Sequence, residues 1–181
     1  MAARAALCAA GLALSLYAVH VEREAARDPS YRAACDLAPA VSCTRVFGSR
    51  WGRGLGLVEP LLGRDSPLNV PNGALGVLFY LLQALLGAVG GRGASTALVA
   101  TSAASVAASL WLGGVLLWGL GDLCLVCLST YLINLLLLLI NLRPAGGWRD
   151  PKQPEGPQKP AGDIRKPERD PQKPPEGPKK T

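Results

Sequence analysis

Four long uncharged stretches constrain the fold of this chain more than any other feature. They run over Ala5–Val21, Gly73–Gly91, Gly93–Gly121 and Leu123–Leu142. A helix needs about 20 apolar residues to cross the hydrocarbon core of a bilayer, and the last three stretches meet that length while the first is marginal. The 49% hydrophobic composition is also typical of a membrane protein. We therefore predict an all-α membrane protein built as a four-transmembrane-helix bundle.

The first stretch also fits a secretory signal peptide, because Arg4 precedes its apolar run. Its end, "YAVHVERE", lacks the small-x-small pattern of a cleavage site. We favour an uncleaved first helix.

The positions of the basic residues predict how the bundle is oriented. Four spans place both termini on one side, and that side carries 12 of the 19 Lys and Arg residues. The loop 22–72 carries the other seven. The positive-inside rule then places both termini in the cytosol and the loop on the lumenal or periplasmic side. This topology explains the net charge of +6, so we expect no nucleic-acid partner.

The composition changes after the last apolar stretch. Ten of the 15 prolines lie between Pro144 and Thr181, with repeated "PEGP" and "QKP" patterns. Such a segment cannot bury a core. We predict a membrane domain over 1–143 and a disordered, Pro/Lys-rich cytosolic tail over 144–181.

The five cysteines divide into one single residue and two pairs. Cys8 lies alone within the first apolar stretch, where a cysteine usually packs as a small apolar residue. Cys35 and Cys43 lie in the loop, and Cys124 and Cys127 lie at the start of the fourth stretch. The predicted topology puts both pairs on the same oxidising face, where disulfides persist.

The helix pair has the spacing of a redox dithiol. Two residues three apart lie one turn apart on one face of a helix. A helix N-terminus lowers the pKa of a thiol and favours the reactive thiolate, although Asp122 either opposes this or caps the helix. A zinc half-site is disfavoured, since the sequence has no second CXXC and its single histidine, His20, lies in the first stretch.

The loop pair, in "CDLAPAVSC", encloses seven residues and has two interpretations. It is either a structural disulfide that staples the loop or a mobile pair that carries electrons between a soluble partner and the helix pair. The second dithiol on the same face favours the electron shuttle.

Three motifs together resemble the vitamin K epoxide reductase family: the CX7C of the loop, "SRWGRG", and the CXXC in "DLCLVC". The resemblance runs from about Leu7 to Leu142 and implies a four-helix bundle in the endoplasmic reticulum membrane, with a quinone pocket under a lumenal cap loop. It implies thiol-dependent reduction of vitamin K 2,3-epoxide to the quinone and of the quinone to the hydroquinone, without a tightly bound cofactor. Coumarin-type inhibitors would occupy the same pocket. Within the family, "SCTRVF" and "GLVE" are similar to the reductase, and "HVERE" and "CDLAP" to its reductase-like paralogue.

The resemblance also implies roles for the four paired cysteines. Cys127 would be the thiolate that attacks the substrate, and Cys124 would resolve the adduct. Cys43 would then attack Cys124, and Cys35 would release Cys43 by closing the loop pair. A lumenal thioredoxin-like oxidoreductase would reduce the loop pair again.

Carried over in the same way, six residues are expected to contact the substrate: Asn72, Tyr131, Phe47, Val46, Leu112 and Leu120. Asn72 and Tyr131 would hydrogen-bond the quinone oxygens, and Phe47 would pack on the ring. Tyr131 follows Cys127 by four residues and so lies one turn deeper on the same helix face. Apart from the resemblance, Tyr131 also fits an interfacial aromatic residue and Asn72 a helix cap.

Two other classes of protein remain as alternatives. A structural four-span protein of the claudin type also carries two loop cysteines near a tryptophan, but it has no use for a CXXC. A quinone-linked disulfide-forming oxidase uses overlapping chemistry, but a fused thioredoxin domain would support it better than the predicted tail does.

Overall fold

The computed structural model describes residues 2–143. The helices in this part of the chain are α1 (Ala2–Arg27), α2 (Cys43–Gly48), α3 (Val58–Leu62), α4 (Asn72–Val89), α5 (Arg92–Gly114) and α6 (Leu125–Leu142). A π turn, Val115–Leu120, continues α5. Four of the described helices, α1, α4, α5 with its π turn and α6, are long and apolar enough to cross a membrane. This confirms the predicted four-helix membrane bundle. The predicted tail, 144–181, lies outside the described residues.

Two of the predicted boundaries were wrong. The helix α1 continues to Arg27, because the charged segment 22–27 consists largely of strong helix formers. The loop between the first two spans is therefore 28–71 instead of 22–72, and we call it the cap loop. At the other boundary α6 begins at Leu125 instead of Leu123, because Leu123 pairs with the cap loop and leaves the helix.

Small residues let α1 and α4 approach closely. A Cβ on Gly11 would lie 2.3 Å from the ring of Tyr80, and a Cβ on Gly76 would lie 2.4 Å from the hydroxyl of Ser15. Small residues serve the same purpose wherever helices pack in lipid, since apolar side chains gain little by leaving it. The cap loop connects the end of α1 to the start of α4, so this close contact brings the two ends of the loop together.

A cluster of polar side chains joins all four spans at the end of the bundle remote from the cap loop. We call Arg4, Gln83, Ser102 and Asn141 the amide cluster. Asn141 donates to Ser102 at 2.8 Å and to Gln83 at 3.1 Å, and Gln83 donates to Ser102 at 3.0 Å. Arg4 donates to Asn141 at 3.1 Å. Such bonds hold helices together where water is absent.

The cap loop folds over the other end of the bundle and is tied to the first residue of α4. The Oδ1 atom of Asn72 accepts from the backbone N–H of Leu55 at 2.8 Å, and its Nδ2 donates to the carbonyl of Trp51 at 2.7 Å. The indole N–H of Trp111 on α5 donates to the carbonyl of Leu55 at 3.1 Å. The middle of the loop is therefore fixed on two spanning helices and forms a roof.

Candidate active site

A cavity of about 420 Å³ lies between the spanning helices beneath the cap loop. This volume is within the usual range of small-molecule pockets. The predicted substrate-contacting residues line it without exception: Asn72, Tyr131, Phe47, Val46, Leu112 and Leu120. Cys127 lines it as well, whereas Cys35, Cys43 and Cys124 do not. One cysteine of the helix pair therefore faces the space that a ligand can enter.

Different elements supply the walls of this cavity. The roof includes Val46 and Phe47 of α2, both buried. One side comes from α5 and its π turn, through Leu112 and Leu120. The pattern of an apolar chamber with a few polar groups is typical of sites that orient a hydrophobic ligand.

Asn72 has a different local role from the helix cap considered above. Pro71 occupies the N-cap position of α4, without a capping side-chain bond. The Asn72 side chain instead connects α4 to the cap loop through Leu55 and Trp51. A carboxamide nitrogen carries two hydrogens, so one N–H of Asn72 remains for a ligand in the cavity.

The cavity continues below Tyr131 to polar groups that the sequence analysis missed. Tyr80 donates to Asn134 at 2.8 Å, and Asn134 donates to Ser109 at 2.9 Å. All three side chains line the cavity. The available signal was Asn134 itself, because an amide three residues after Tyr131 in an apolar span is rarely without a role.

The roof also contains two residues that were not predicted, Trp51 and Leu55. Leu55 adopts a left-handed backbone conformation with φ of +57°, which costs a non-glycine residue about 1–2 kcal/mol. Trp51 packs edge-on against Trp111 with ring centroids 6.4 Å apart. Leu55 lies within the three-residue turn Gly54–Gly56 and lines the cavity. The contacts of this turn with distant residues gave no sequence signal.

The four paired cysteines form a chain of sulfurs beside the cavity. Cys35 and Cys43 form a disulfide, and Cys124 and Cys127 are free thiols. The sulfur of Cys124 lies 3.8 Å from the sulfur of Cys43, and both residues are fully buried. Cys35 is partly exposed at one end of this chain, and Cys127 reaches the cavity at the other. We call these four residues the cysteine cluster.

The spacing predicted that Cys124 and Cys127 lie on one face of a helix, and this prediction was wrong. Cys124 is the N-cap residue of α6, with an extended backbone at φ −118° and ψ 109°. Its sulfur accepts the backbone N–H of Cys127 at 3.3 Å. The helix N-terminus therefore acts on Cys124 through a direct hydrogen bond, and Asp122 is not the cap.

The hydrogen bond from the Cys127 side chain holds the pKa of Cys124 below its ordinary value. Burial opposes this effect, the backbone N–H groups of Cys127 and Val126 add to it, and the charge of Asp36 opposes it. A thiol with a lowered pKa is a thiolate over more of the neutral range, and the thiolate is the form that attacks disulfides. The sulfur with this property is the one that faces the loop pair.

Asp36 fixes the loop pair from the other side. Its carboxylate accepts the backbone N–H groups of Thr44 at 3.1 Å and Ala33 at 3.3 Å. Burial raises the pKa of Asp36, but the hydrogen bonds from Thr44, Ser42 and the backbone of Cys43 together lower it more, so the pKa lies below its ordinary value. The carboxylate and the sulfurs of Cys35 and Cys43 lie within 4.8 Å of one another. Because the disulfide occupies both sulfurs, this group is not a thiolate metal site in the present state.

Comparison with known proteins identifies the family of this chain. Residues 2–142 match the Vitamin K epoxide reductase family. The chain is 56% identical over 140 residues to Vitamin K epoxide reductase complex subunit 1 of Mus musculus, covering 77% of this chain and 87% of the mouse protein. The protein of the same name from Rattus norvegicus is 54% identical over the same shares of both chains. These matches confirm the predicted oxidoreductase class and do not favour the structural four-span protein or the disulfide-forming oxidase. The chain belongs to the vitamin K epoxide reductase family.

Proposed function

We propose that this chain reduces vitamin K 2,3-epoxide to vitamin K quinone, and the quinone to the hydroquinone, in the endoplasmic reticulum membrane with both termini in the cytosol. One observation carries the proposal. Cys127 lines an apolar cavity while its partner Cys124 contacts the loop disulfide. A lipid-soluble substrate and a supply of electrons can therefore meet at one dithiol.

The proposed reduction of the epoxide consumes two thiols. The Cys127 thiolate attacks a ring carbon of the epoxide, and the broken carbon–oxygen bond leaves an alkoxide that takes up one proton. Cys124 then attacks the sulfur of Cys127, and the electrons of the carbon–sulfur bond form the double bond of the quinone. The hydroxyl takes up a second proton and leaves as water, and a Cys124–Cys127 disulfide remains. Two electrons pass from the sulfurs to the substrate. Reduction of the quinone uses the same dithiol and adds two electrons and two protons.

Tyr131 and Asn72 are proposed to orient the ring and stabilise the charge that develops on its oxygens. Tyr131 lies one turn below Cys127 on α6, and both side chains line the cavity. A single donor aimed at a developing oxyanion in a water-excluded site contributes about 3 kcal/mol. Phe47, Val46, Leu112 and Leu120 provide the apolar surface on which the ring packs.

The loop pair is proposed to recharge the helix pair. Cys43 attacks Cys124, Cys35 then closes the loop disulfide, and a lumenal thioredoxin-like oxidoreductase reduces that disulfide. The 3.8 Å approach of Cys43 and Cys124 and the partial exposure of Cys35 support this order. No tightly bound cofactor enters the cycle, and coumarin-type inhibitors compete for the cavity.

The deciding experiment is turnover of vitamin K epoxide by membranes containing the full chain, with a small dithiol as donor. We expect vitamin K quinone to form, and a coumarin to inhibit its formation. Membranes with the Cys127→Ala variant at the same abundance are the control for background reduction. Well-folded wild-type protein without turnover would refute the proposal.

The relay has a separate test in the Cys35→Ala variant. With a reduced thioredoxin-like protein as donor, turnover should fall at least about 100-fold, because the electrons have no entry point. With a small dithiol that reduces the helix pair directly, most of the turnover should remain. Equal losses with both donors would show that Cys35 serves only as a structural staple.

A further inference from the structure

The two segments that carry Cys43 and Cys124 are joined by a short backbone ladder. The N–H of Leu123 donates to the carbonyl of Ala40 at 2.8 Å, and the N–H of Ser42 donates to the carbonyl of Leu123 at 3.0 Å. These bonds form a parallel bridge between Val41 and Leu123. Each cysteine directly follows a residue of this ladder, so the ladder sets the two sulfurs side by side.

A charged side chain closes the same junction. Arg45, two residues after Cys43, donates through its guanidinium to the carboxylate of Asp122 and to the carbonyl of Pro39. Asp122 lies two residues before Cys124. The Asp122 side chain is 12% exposed and the Arg45 side chain 54% exposed. The arginine thus connects both segments from outside the sulfur contact, and we call Arg45 and Asp122 the docking clamp.

The clamp has no part in the cavity. Neither Arg45 nor Asp122 lines it, and Arg45 is exposed on α2 whereas Val46 and Phe47 are buried. A loss of the clamp should therefore alter the approach of the sulfurs without altering the walls around a ligand. Displacements of about 1 Å are enough to slow a reaction about 100-fold when two groups must meet in line.

We propose that Arg45 and Asp122 are positioning residues that dock the loop cysteine pair on Cys124, and so govern the transfer of electrons to the helix dithiol. This inference rests on the relay in the proposed function and deepens it. The docked state has to persist through two exchanges, in which Cys124 forms and then loses a bond to the same loop sulfur.

The docked reaction consists of two successive thiol–disulfide exchanges. The Cys43 thiolate attacks Cys124, the Cys43–Cys124 bond forms, and Cys127 leaves as a thiolate. The Cys35 thiolate then attacks Cys43, the Cys35–Cys43 bond forms, and Cys124 leaves as a thiolate. Two electrons move from the loop pair to the helix pair. A dithiol protein donor then reduces the loop disulfide and is itself oxidised.

The first test compares two electron donors on the full chain in detergent. In Asp122→Asn and Arg45→Gln, turnover with a reduced thioredoxin-like protein should fall about 10-fold or more, as expected for a misplaced exchange partner. Turnover with a small dithiol should stay within about 2-fold of wild type, because the cavity is unchanged. Arg45→Lys, which keeps the charge, should recover part of the loss. Arg64→Gln is the matched control, since Arg64 pairs with Glu59 in the same cap loop at 3.7 Å, and it should leave both rates unchanged.

A second test isolates the exchange from substrate and donor. In a Cys127→Ser background, attack of Cys124 on the loop disulfide releases Cys35 as a thiolate, which a maleimide reagent can label. Adding Asp122→Asn should slow this labelling about 10-fold, whereas adding Arg64→Gln should not.

Two results would overturn the inference. Equal losses with both donors would mean that the clamp only stabilises the fold. A loss confined to the protein donor with unchanged Cys35 labelling would mean that Arg45 contacts the donor instead of docking the loop. Failure of the proposed function is distinguishable from both, because the wild-type chain would then show no turnover with either donor.

Discussion

The cysteine cluster and the amide cluster are both buried groups of polar side chains in one apolar bundle, yet they are built for different purposes. In the amide cluster the side chain of Gln83 is fully buried, and both ends of it are paired with Ser102 and Asn141. In the cysteine cluster Cys35 and Cys43 share a disulfide, and the other contacts involve thiols, which form only weak hydrogen bonds. None of the four amide-cluster side chains lines the cavity described above, whereas Cys127 does.

This difference separates structure from chemistry inside a membrane. Polar side chains in lipid are costly unless they find partners, so a fully paired cluster acts as an attachment between helices. The cysteine cluster holds two free thiols, one of which, Cys124, has a lowered pKa, and it retains its reactivity because the thiolate is the nucleophile. The same bundle therefore holds a structural end and a reactive end. Substitutions in the cysteine cluster should lower turnover with little effect on stability, and substitutions in the amide cluster should lower stability with little effect on turnover.

The largest effect should come from removing the sulfur that faces the cavity. Cys127→Ala should abolish reduction of vitamin K epoxide with either donor, because no other sulfur lines the cavity among residues 2–143. The measurement is single-turnover formation of vitamin K quinone. The melting temperature in detergent should remain near that of wild type, since one small, partly exposed side chain is replaced by another. Retained turnover with a small dithiol would contradict the nucleophile role.

Removing one hydroxyl at the same end should have the next largest effect. Tyr131→Phe should lower turnover about 100-fold, the usual loss for one donor to a developing oxyanion, with little change in stability. Phe79→Leu is a matched control, because Phe79 lines the cavity on α4 without a polar group. The measurement is kcat with a small dithiol. A change in KM alone would show that Tyr131 only packs against the substrate.

At the other end of the bundle, a substitution should lower stability and leave turnover almost unchanged. Asn141→Leu removes bonds to Gln83, Ser102 and Arg4 and leaves the buried Oε1 atom of Gln83 without its donor, so unfolding should become easier by about 1–2 kcal/mol. Turnover at a temperature below the transition should stay within about 2-fold of wild type. The measurement is thermal unfolding in detergent beside an activity assay on the same sample.

The control for this contrast is Leu139→Ala on the same helix, because Leu139 is 46% exposed toward the lipid side of α6. It should change stability little. Turnover that falls in parallel with stability in Asn141→Leu would show that the two ends are not separable.

The sequence predicted the four spans because the length of an apolar stretch is a local property that the bilayer thickness selects. It predicted the two cysteine pairs because spacing and topology place them on one face. The six residues that the family resemblance implied line the cavity, whereas Trp51, Leu55 and Asn134 line it without having been predicted.

What the sequence did not predict depends on contacts between distant segments. Arg45 and Asp122 are 77 residues apart, and nothing in the pattern near either residue indicates the other. The position of Cys124 outside the helix follows from the pairing of Leu123 with the cap loop. The CXXC spacing alone therefore placed Cys124 wrongly within the helix. The π turn at Val115–Leu120 also has no local signal, although such turns are frequent at functional sites.

The smallest expected effect concerns the charge beside the reactive end. The Asp36 carboxylate raises the pKa of Cys124 and opposes the hydrogen bonds that lower it. The pKa of Asp36 itself lies below its ordinary value, so the carboxylate is ionised throughout the range in which thiols titrate.

In a Cys127→Ser background, labelling of Cys35 by a maleimide should rise with pH as Cys124 becomes a thiolate. Adding Asp36→Asn should move the midpoint of that rise to lower pH, while the neutral amide can still accept the N–H of Thr44. Asp65→Asn, the same change at an exposed position of the cap loop, should leave the midpoint in place. A midpoint that stays fixed or moves to higher pH would show that Asp36 positions the loop pair without tuning the sulfur it faces.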